Sequence, residues 1–262
     1  VLILLPPSET KKPAQTGEPF EMNELSFPVL AEARHRVLEE LHQVSSHPDA
    51  LKLLGVGASL SEEVSRNLEL HSAPAAPAYN IYDGVLYDAL GVSTLGPKAK
   101  ERVVSSVVVI SALWGAVGFG DRIPAYRLSM GTNLGTLGTL SRYWRAALLE
   151  PLNERAKGEL IIDCRSSTYA AAWKAPLENT VSIHVKQWHN GALKVITHAA
   201  KLTRGELVRH LATTRRKEPS TPAELLSLVK TVWPDSMLEP ATATSEHKIH
   251  IVLPAASTEN KS

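Results

Sequence analysis

Apolar runs separated by polar or proline-rich breaks recur along this chain, and their spacing predicts most of its elements. Residues 1–5 are all apolar and stop at Pro6-Pro7, the pattern of a strand buried on both faces. The polar loop Ser8-Glu9-Thr10-Lys11-Lys12 follows at that strand's end. Val29, Leu30, Ala33, Val37, Leu38, Leu41 and Val44 recur at helical spacing, and His47-Pro48-Asp49 breaks the helix. Residues 50–54 then lead through Gly55-Val56-Gly57 to Ser59-Leu60-Ser61-Glu62, a capping-box pattern opening a second helix near Leu70. Two short helices around a Gly-x-Gly turn outline a helix-hairpin-helix, in which Gly55, Gly57 and the second helix's first turn would face a phosphate. A plain helical hairpin, with both glycines only turning the chain, fits the same pattern.

Residues 73–78 form a connector, and residues 79–90 are aromatic-rich and divided by Gly84. The β-branched run 103–110 and the run 159–164 predict two more buried strands. Polar Arg165-Ser166-Ser167-Thr168-Tyr169 follows the second of them. Helical spacing returns over residues 134–149 and 169–173. Val181, Ile183 and Val185 alternate on one strand face, and Asn190-Gly191 before residues 193–196 signals a hairpin. A basic helix over 198–211, an amphipathic helix over 222–232 and a strand over 248–253 close the chain, with a frayed tail from Ser257. No internal repeat and no long linker calls for a domain split.

Composition narrows the class. The chain has 262 residues, 44% hydrophobic and 21% charged, with net charge +1, ordinary for a soluble globular protein and long enough for one large domain or two small ones with a substantial core. Near-neutral charge leaves the choice of an anionic partner to the distribution of charge. One cysteine, Cys164, permits no internal disulfide, and no H-E-x-x-H or comparable ligand spacing occurs, so no metal or cofactor is expected. The first apolar run is too short for a signal peptide, and no run approaches the roughly 20 apolar residues of a membrane span. A cytoplasmic setting without membrane contact is the expectation.

The densest candidate chemistry lies in residues 110–145. Six glycines sit among Trp114, Phe119, Tyr126, Tyr143 and Trp144, interleaved with Arg122, Arg127, Arg142 and Arg145. Glycine permits close backbone approach, and arginine brings a forked cationic donor. Irregular backbone of this kind between apolar segments suits a binding loop, or equally a pair of turns with solvated arginines. The two strand-end loops at Ser8 and Arg165 are further site candidates, because ligands gather at the carboxyl ends of strands in α/β sheets. A third basic segment, residues 194–217, holds seven Lys/Arg and one Glu.

The order of these pieces resembles the YaaA family, which is associated with peroxide stress in bacteria. The resemblance is carried by Pro7-Ser8-Glu9-Thr10-Lys11, Tyr82-Asp83-Gly84-Val85-Leu86-Tyr87 and Leu113-Trp114-Gly115. It continues through Tyr126-Arg127-Leu128-Ser129-Met130-Gly131-Thr132, Asp163-Cys164-Arg165-Ser166-Ser167-Thr168-Tyr169 and Lys201-Leu202-Thr203-Arg204-Gly205. Two of these depart from the family pattern: many members carry Ser-Pro-Ala-Lys-Thr in the first loop and Lys-Lys-Ala-Arg-Gly in the last. The resemblance implies one α/β (mixed α+β) domain over residues 1–256, with a mixed central sheet, surrounding helices and a helix-hairpin-helix insert at about 48–70. It also implies a positively charged cleft, DNA binding and protection against iron-driven oxidative damage.

Three functions follow as expectations. The first is DNA protection, with a cleft formed by Ser8, Lys11, Arg122, Tyr126, Arg127, Thr132, Arg165, Ser166, Lys201 and Arg204, and hairpin phosphate contacts at Gly55 and Gly57. Against the insert's share, residues 32–70 hold four cations and seven acids, a net charge of −3. The second is an enzyme or binder of a small phosphorylated or nucleotide-like ligand in that cleft. No Ser-His-Asp order, P-loop or dinucleotide fingerprint is present, so no catalytic residue or reaction is assigned. The third is iron sequestration by Glu9, Asp83, Asp163, His184 and His198, which are scattered in sequence.

Overall fold

Strand β1 (Leu2–Leu5) forms where four apolar side chains stand in a row, and all four are buried. The computed structural model describes residues 1–189, 192–196 and 198–254. Pro6 and Pro7 end β1 because proline offers no N–H to a ladder. Helix α1 (Ala31–Ser46) buries Val37, Leu38 and Leu41 along one face. The insert that follows consists of α2 (Ala50–Leu53), a 3₁₀ turn (Ala58–Leu60) and α3 (Ser61–Ser65). The capping box expected of Ser59 and Glu62 is not made. Ser59 lies inside the 3₁₀ turn, α3 has no side-chain cap, and Glu62 pairs instead with Arg66 at 2.5 Å.

Strand β2 (Ala76–Pro77) leads into α4 (Ala78–Ile81), α5 (Val85–Leu90), α6 (Pro97–Ser106) and β3 (Val107–Ser111). The run 103–110, expected as one strand, is therefore divided between a helix and a strand. Pro97 starts α6, and Val103 and Ser106 are needed on its buried face, so packing overrides β propensity there. Next come β4 (Gly115–Gly118), β5 (Arg122–Ile123), β6 (Asn133–Leu134), β7 (Gly138–Thr139) and α7 (Leu140–Ala156). The small β6–β7 ladder takes up residues expected to begin the helix.

The remainder is β8 (Ile161–Asp163), α8 (Ser167–Ala170), β9 (Thr180–His189), β10 (Ala192–Val195), α9 (His198–Thr213), α10 (Pro222–Val229), β11 (Met237–Glu239) and β12 (His247–Leu253). Thr221 caps α10 by accepting the Glu224 N–H at 3.2 Å. The Asn190-Gly191 turn and the tail from Ser257 lie outside the described residues, although β9 and β10 pair antiparallel as a hairpin requires.

The strands form a mixed sheet in the order β11-β12-β9-β8-β1-β3-β4, with β10 also against β9. Strands β12, β9, β8, β1 and β3 run parallel, and β4, β10 and β11 run against their neighbours. Helices surround this sheet in a single α/β domain. From β1 the chain proceeds to β3 on one side, and from β8 it proceeds to β9 on the other. The β1–β8 boundary is thus a topological switch point, where open α/β sheets leave a crevice at their carboxyl ends.

Two glycines are fixed by close packing. Gly115 has φ +70°, and a Cβ there would lie 2.6 Å from the buried Trp144 ring. At Gly205 a Cβ would drive into the Leu86 carbonyl and stand 2.8 Å from the Ala89 Cβ, so α9 approaches α5 only because this residue is glycine.

Candidate functional site: a crevice at the strand ends

A cavity of about 380 Å³ opens at the switch point. The loop after β1 supplies Pro6, Pro7, Ser8, Glu9 and Thr10, and the turn into α5 supplies Asp83, Gly84, Val85, Leu86 and Tyr87. Ser166 and Tyr169 reach it from the end of β8, and Lys201 and Arg204 from the first turns of α9.

The loop after β1 is held by the segment opposite. Ser8 Oγ accepts the Asp83 N–H at 3.0 Å and donates to the Thr10 carbonyl. The Tyr87 hydroxyl donates to the Pro6 carbonyl at 2.6 Å, and the Lys12 N–H to the Ile81 carbonyl at 2.8 Å. Lys11 turns beneath the loop. Its Nζ donates to the carbonyls of Ser8 (2.8 Å) and Glu9 (3.2 Å) and lies 4.2 Å from the Tyr126 ring centroid. Burial lowers its pKa to about 7; Glu9 and Glu63 oppose the shift, and Arg127 adds to it. Lys11 therefore acts as a pin of the loop and is not among the cavity-lining residues.

Tyr126 is buried, its hydroxyl hydrogen-bonded to Ser111 Oγ at 2.7 Å and to the Tyr82 hydroxyl at 3.2 Å. Burial pushes both phenols well above the ordinary tyrosine range, so they stay protonated. Arg127 joins three segments. Its guanidinium reaches the Glu9 carbonyl (3.1 Å) and the carboxylates of Glu9 and Glu63 (3.3 Å each), while its backbone N–H and carbonyl are both held by the Asn67 side chain. Glu63 and Asn67 belong to the insert, which is thereby tied to the crevice loop.

The other expected site residues separate into two groups. Ser166 and Lys201 are exposed, and with Ser8 and Arg204 they line the cavity. Arg165, Arg122 and Thr132 do not line it. Arg165 is buried, paired with Asp163 at 2.6 Å and donating to the Trp173 carbonyl at 3.1 Å. Arg122 stands on the small β2–β5 ladder and donates to the Ala75 carbonyl at 2.5 Å. Thr132 is buried in a turn, its N–H donating to the Ser129 carbonyl at 3.0 Å. Gly55 and Gly57 face open space, with nothing within 4 Å of an added Cβ. Cys164 is buried, and burial pushes its thiol up to about 12.

What remains chemically free in the crevice is a short set. Among the described residues, neither the Asp83 carboxylate nor the Lys201 ammonium group has a hydrogen-bond or ion-pair partner. Arg204 donates through Nη2 to the Ile183 carbonyl at 2.9 Å, and its Nε is buried without a partner. Two cations thus face two carboxylates, Asp83 and the Arg127-bound Glu9, beside an apolar wall of Pro6, Pro7, Val85 and Tyr169. Among the described residues no group of three or more His, Cys, Asp or Glu side chains is placed to hold a metal ion, and no helix is long and apolar enough to cross a membrane.

Fold and crevice together define a mixed α/β protein with a ligand-sized, polar-and-apolar cavity at a sheet switch point. The chain belongs to the family described as peroxide stress protein YaaA, which it matches over residues 1–229. It is 44% identical over 233 residues to a UPF0246 protein of Streptomyces coelicolor, covering 88% of this chain and 89% of that one. A UPF0246 protein of Corynebacterium efficiens is 42% identical over 234 residues, covering 88% of this chain and 92% of the relative.

Proposed function

We propose that this chain serves the peroxide-stress response in the cytoplasm by binding a small phosphorylated, nucleotide-like ligand in the crevice. The observation that carries this reading is the pair Lys201 and Arg204, one helical turn apart and both lining a cavity of about 380 Å³, with no protein anion paired to either among the described residues. Charge-assisted donors from one helix face, with a serine hydroxyl at Ser166 nearby, suit a phosphate group. Pockets of this volume hold small ligands. The proposed role is binding, and no catalytic step is assigned to it. The test is a thermal-shift titration with sugar phosphates and nucleotides. A saturable rise that is lost in the Lys201→Ala, Arg204→Ala double variant supports the reading, and no rise with any of them refutes it.

Duplex DNA, shielded from iron-driven oxidation, is a second reading favoured by a different observation. At the far end of α9 lies a groove of about 760 Å³ lined by Lys98, Arg102 and Arg215, with no carboxylate in its lining. Lys98 and Arg215 are exposed and form no ion pair among the described residues. The insert contributes less to such a reading, since its helices have four and five residues and its surroundings are net acidic. Phosphate contacts make DNA affinity fall steeply with salt. Reversing Lys98 and Arg215 to Glu should weaken binding and flatten the salt slope more than Gly55→Asp with Gly57→Asp does. The opposite order would return the phosphate contact to the hairpin, and a wild type without salt-dependent binding would remove DNA as a partner.

A further inference from the structure

We infer that the crevice selects a ribonucleoside 5′-monophosphate, with Asp83 receiving the ribose hydroxyls, Lys201 and Arg204 the phosphate, and the Pro7–Val85 wall the base. This rests on the proposed function above and narrows its ligand.

The charge of the lining carries the first step. Arg127 already pairs with Glu9, so Asp83 is the one unpaired carboxylate against Lys201 and Arg204, and the two cations suit a single phosphate, whereas the added charge of a triphosphate finds no further cation in the lining. Asp83 and the two cations line one cavity without pairing to each other among the described residues, so a ligand there meets both a carboxylate acceptor and cationic donors.

Asp83 is suited to accept a ligand's hydroxyl groups. Its carboxylate has no partner among the described residues, in contrast to Glu9, which Arg127 holds at 3.3 Å. Its backbone is fixed by the Ser8 Oγ contact of 3.0 Å, which sets where the side chain starts. An acidic side chain at a strand-end crevice that accepts ribose hydroxyls is an established solution to nucleotide binding. An ionised carboxylate accepts two such donors at once.

The wall supplies the third element. Val85 is 38% exposed although apolar, and it stands with Pro6, Pro7 and Tyr169 on the cavity surface. A phosphorylated sugar would leave this surface wet, whereas a nucleobase would cover it and gain from the apolar area removed from water. Arg204 commits Nη2 to the Ile183 carbonyl, and among the described residues its Nη1 has no partner and is left to donate to a phosphate.

Calorimetric titration of the full chain decides the matter, using the four ribonucleoside 5′-monophosphates, their 2′,3′-dideoxy counterparts, ribose 5-phosphate and the triphosphates. The expected result is that at least one ribonucleoside monophosphate binds about tenfold or more tightly than its dideoxy counterpart. Ribose 5-phosphate and the triphosphates bind more weakly still, and Asp83→Asn binds the ribo and dideoxy forms alike. Equal binding of the two forms by the wild type overturns the Asp83 assignment, independently of how the variant folds. Ribose 5-phosphate binding as tightly as any nucleotide overturns the nucleotide assignment while leaving a phosphate-ester site in place. Should no phosphorylated compound bind, this inference and the reading beneath it fall together.

Discussion

Lys11 lies over the ring of Tyr126, its nitrogen 4.2 Å from the ring centroid and its proton donors turned to the carbonyls of Ser8 and Glu9. Burial brings its pKa to about 7 from the ordinary lysine value of 10.5. Below pH 7 both folded and unfolded chains hold this proton. Between about 7 and 10.5 the unfolded chain still binds it and the folded chain does not, so stability rises with pH across that window. Denaturant unfolding at successive pH values should show this rise. Lys11→Met should flatten it, and an unchanged pH profile in that variant would exclude Lys11 as its source.

Asn67 ties the insert to the site by holding both the N–H and the carbonyl of Arg127 at 2.9 Å, and it also donates to Ser45 Oγ at 3.2 Å. Asn67→Ala would leave the part-buried N–H and carbonyl of Arg127 without these partners, at a cost of about 1 kcal/mol for each bond lost. Hydrogen exchange should accelerate in α3 and in the loop bearing Glu9 together. Acceleration confined to α3 would separate the insert from the crevice.

Gly205 lets α9 lie against α5, and α9 carries both crevice cations. Gly205→Ala should destabilise the fold by about 1–3 kcal/mol or more, because the added methyl meets backbone and not a flexible side-chain end. A melting temperature equal to wild type would contradict this packing.

Cys164 should be indifferent to peroxide. Its thiol is buried and its pKa is raised to about 12, so the reactive thiolate is scarce at neutral pH. Mass spectrometry after exposure to hydrogen peroxide should find the thiol intact in the folded chain, and thiol reagents should label it only on unfolding. Rapid sulfenic acid formation in native conditions would assign Cys164 a sensing role.

Elements made by local pattern were legible in the sequence. The apolar run of β1, the alternation of β9 and the basic face of α9 each declare themselves within a few residues. The division of residues 103–110 was not legible, because the choice depends on packing between α6 and α9. The crevice was legible through its loops: strand-end polar segments placed Ser8 and Ser166, and the 201–205 motif placed Lys201 and Arg204. Arginines were the weak point. A sequence displays the charge of Arg165 and Arg122 but not the Asp163 carboxylate and the Ala75 carbonyl that engage them. Asp83 was visible as part of a motif and as one of the scattered iron-ligand candidates, and its unpartnered carboxylate emerges from the fold. Glu63 and Asn67 carried no local signal, since their partner Arg127 lies about sixty residues away in sequence.

The most direct measurement is a crystal structure of this chain soaked with the tightest-binding ribonucleoside monophosphate. Phosphate density within hydrogen-bond distance of Lys201 and Arg204, with the ribose against Asp83, is the predicted result. Phosphate density in the groove lined by Lys98, Arg102 and Arg215, with the crevice holding only water, would contradict the crevice as the ligand site.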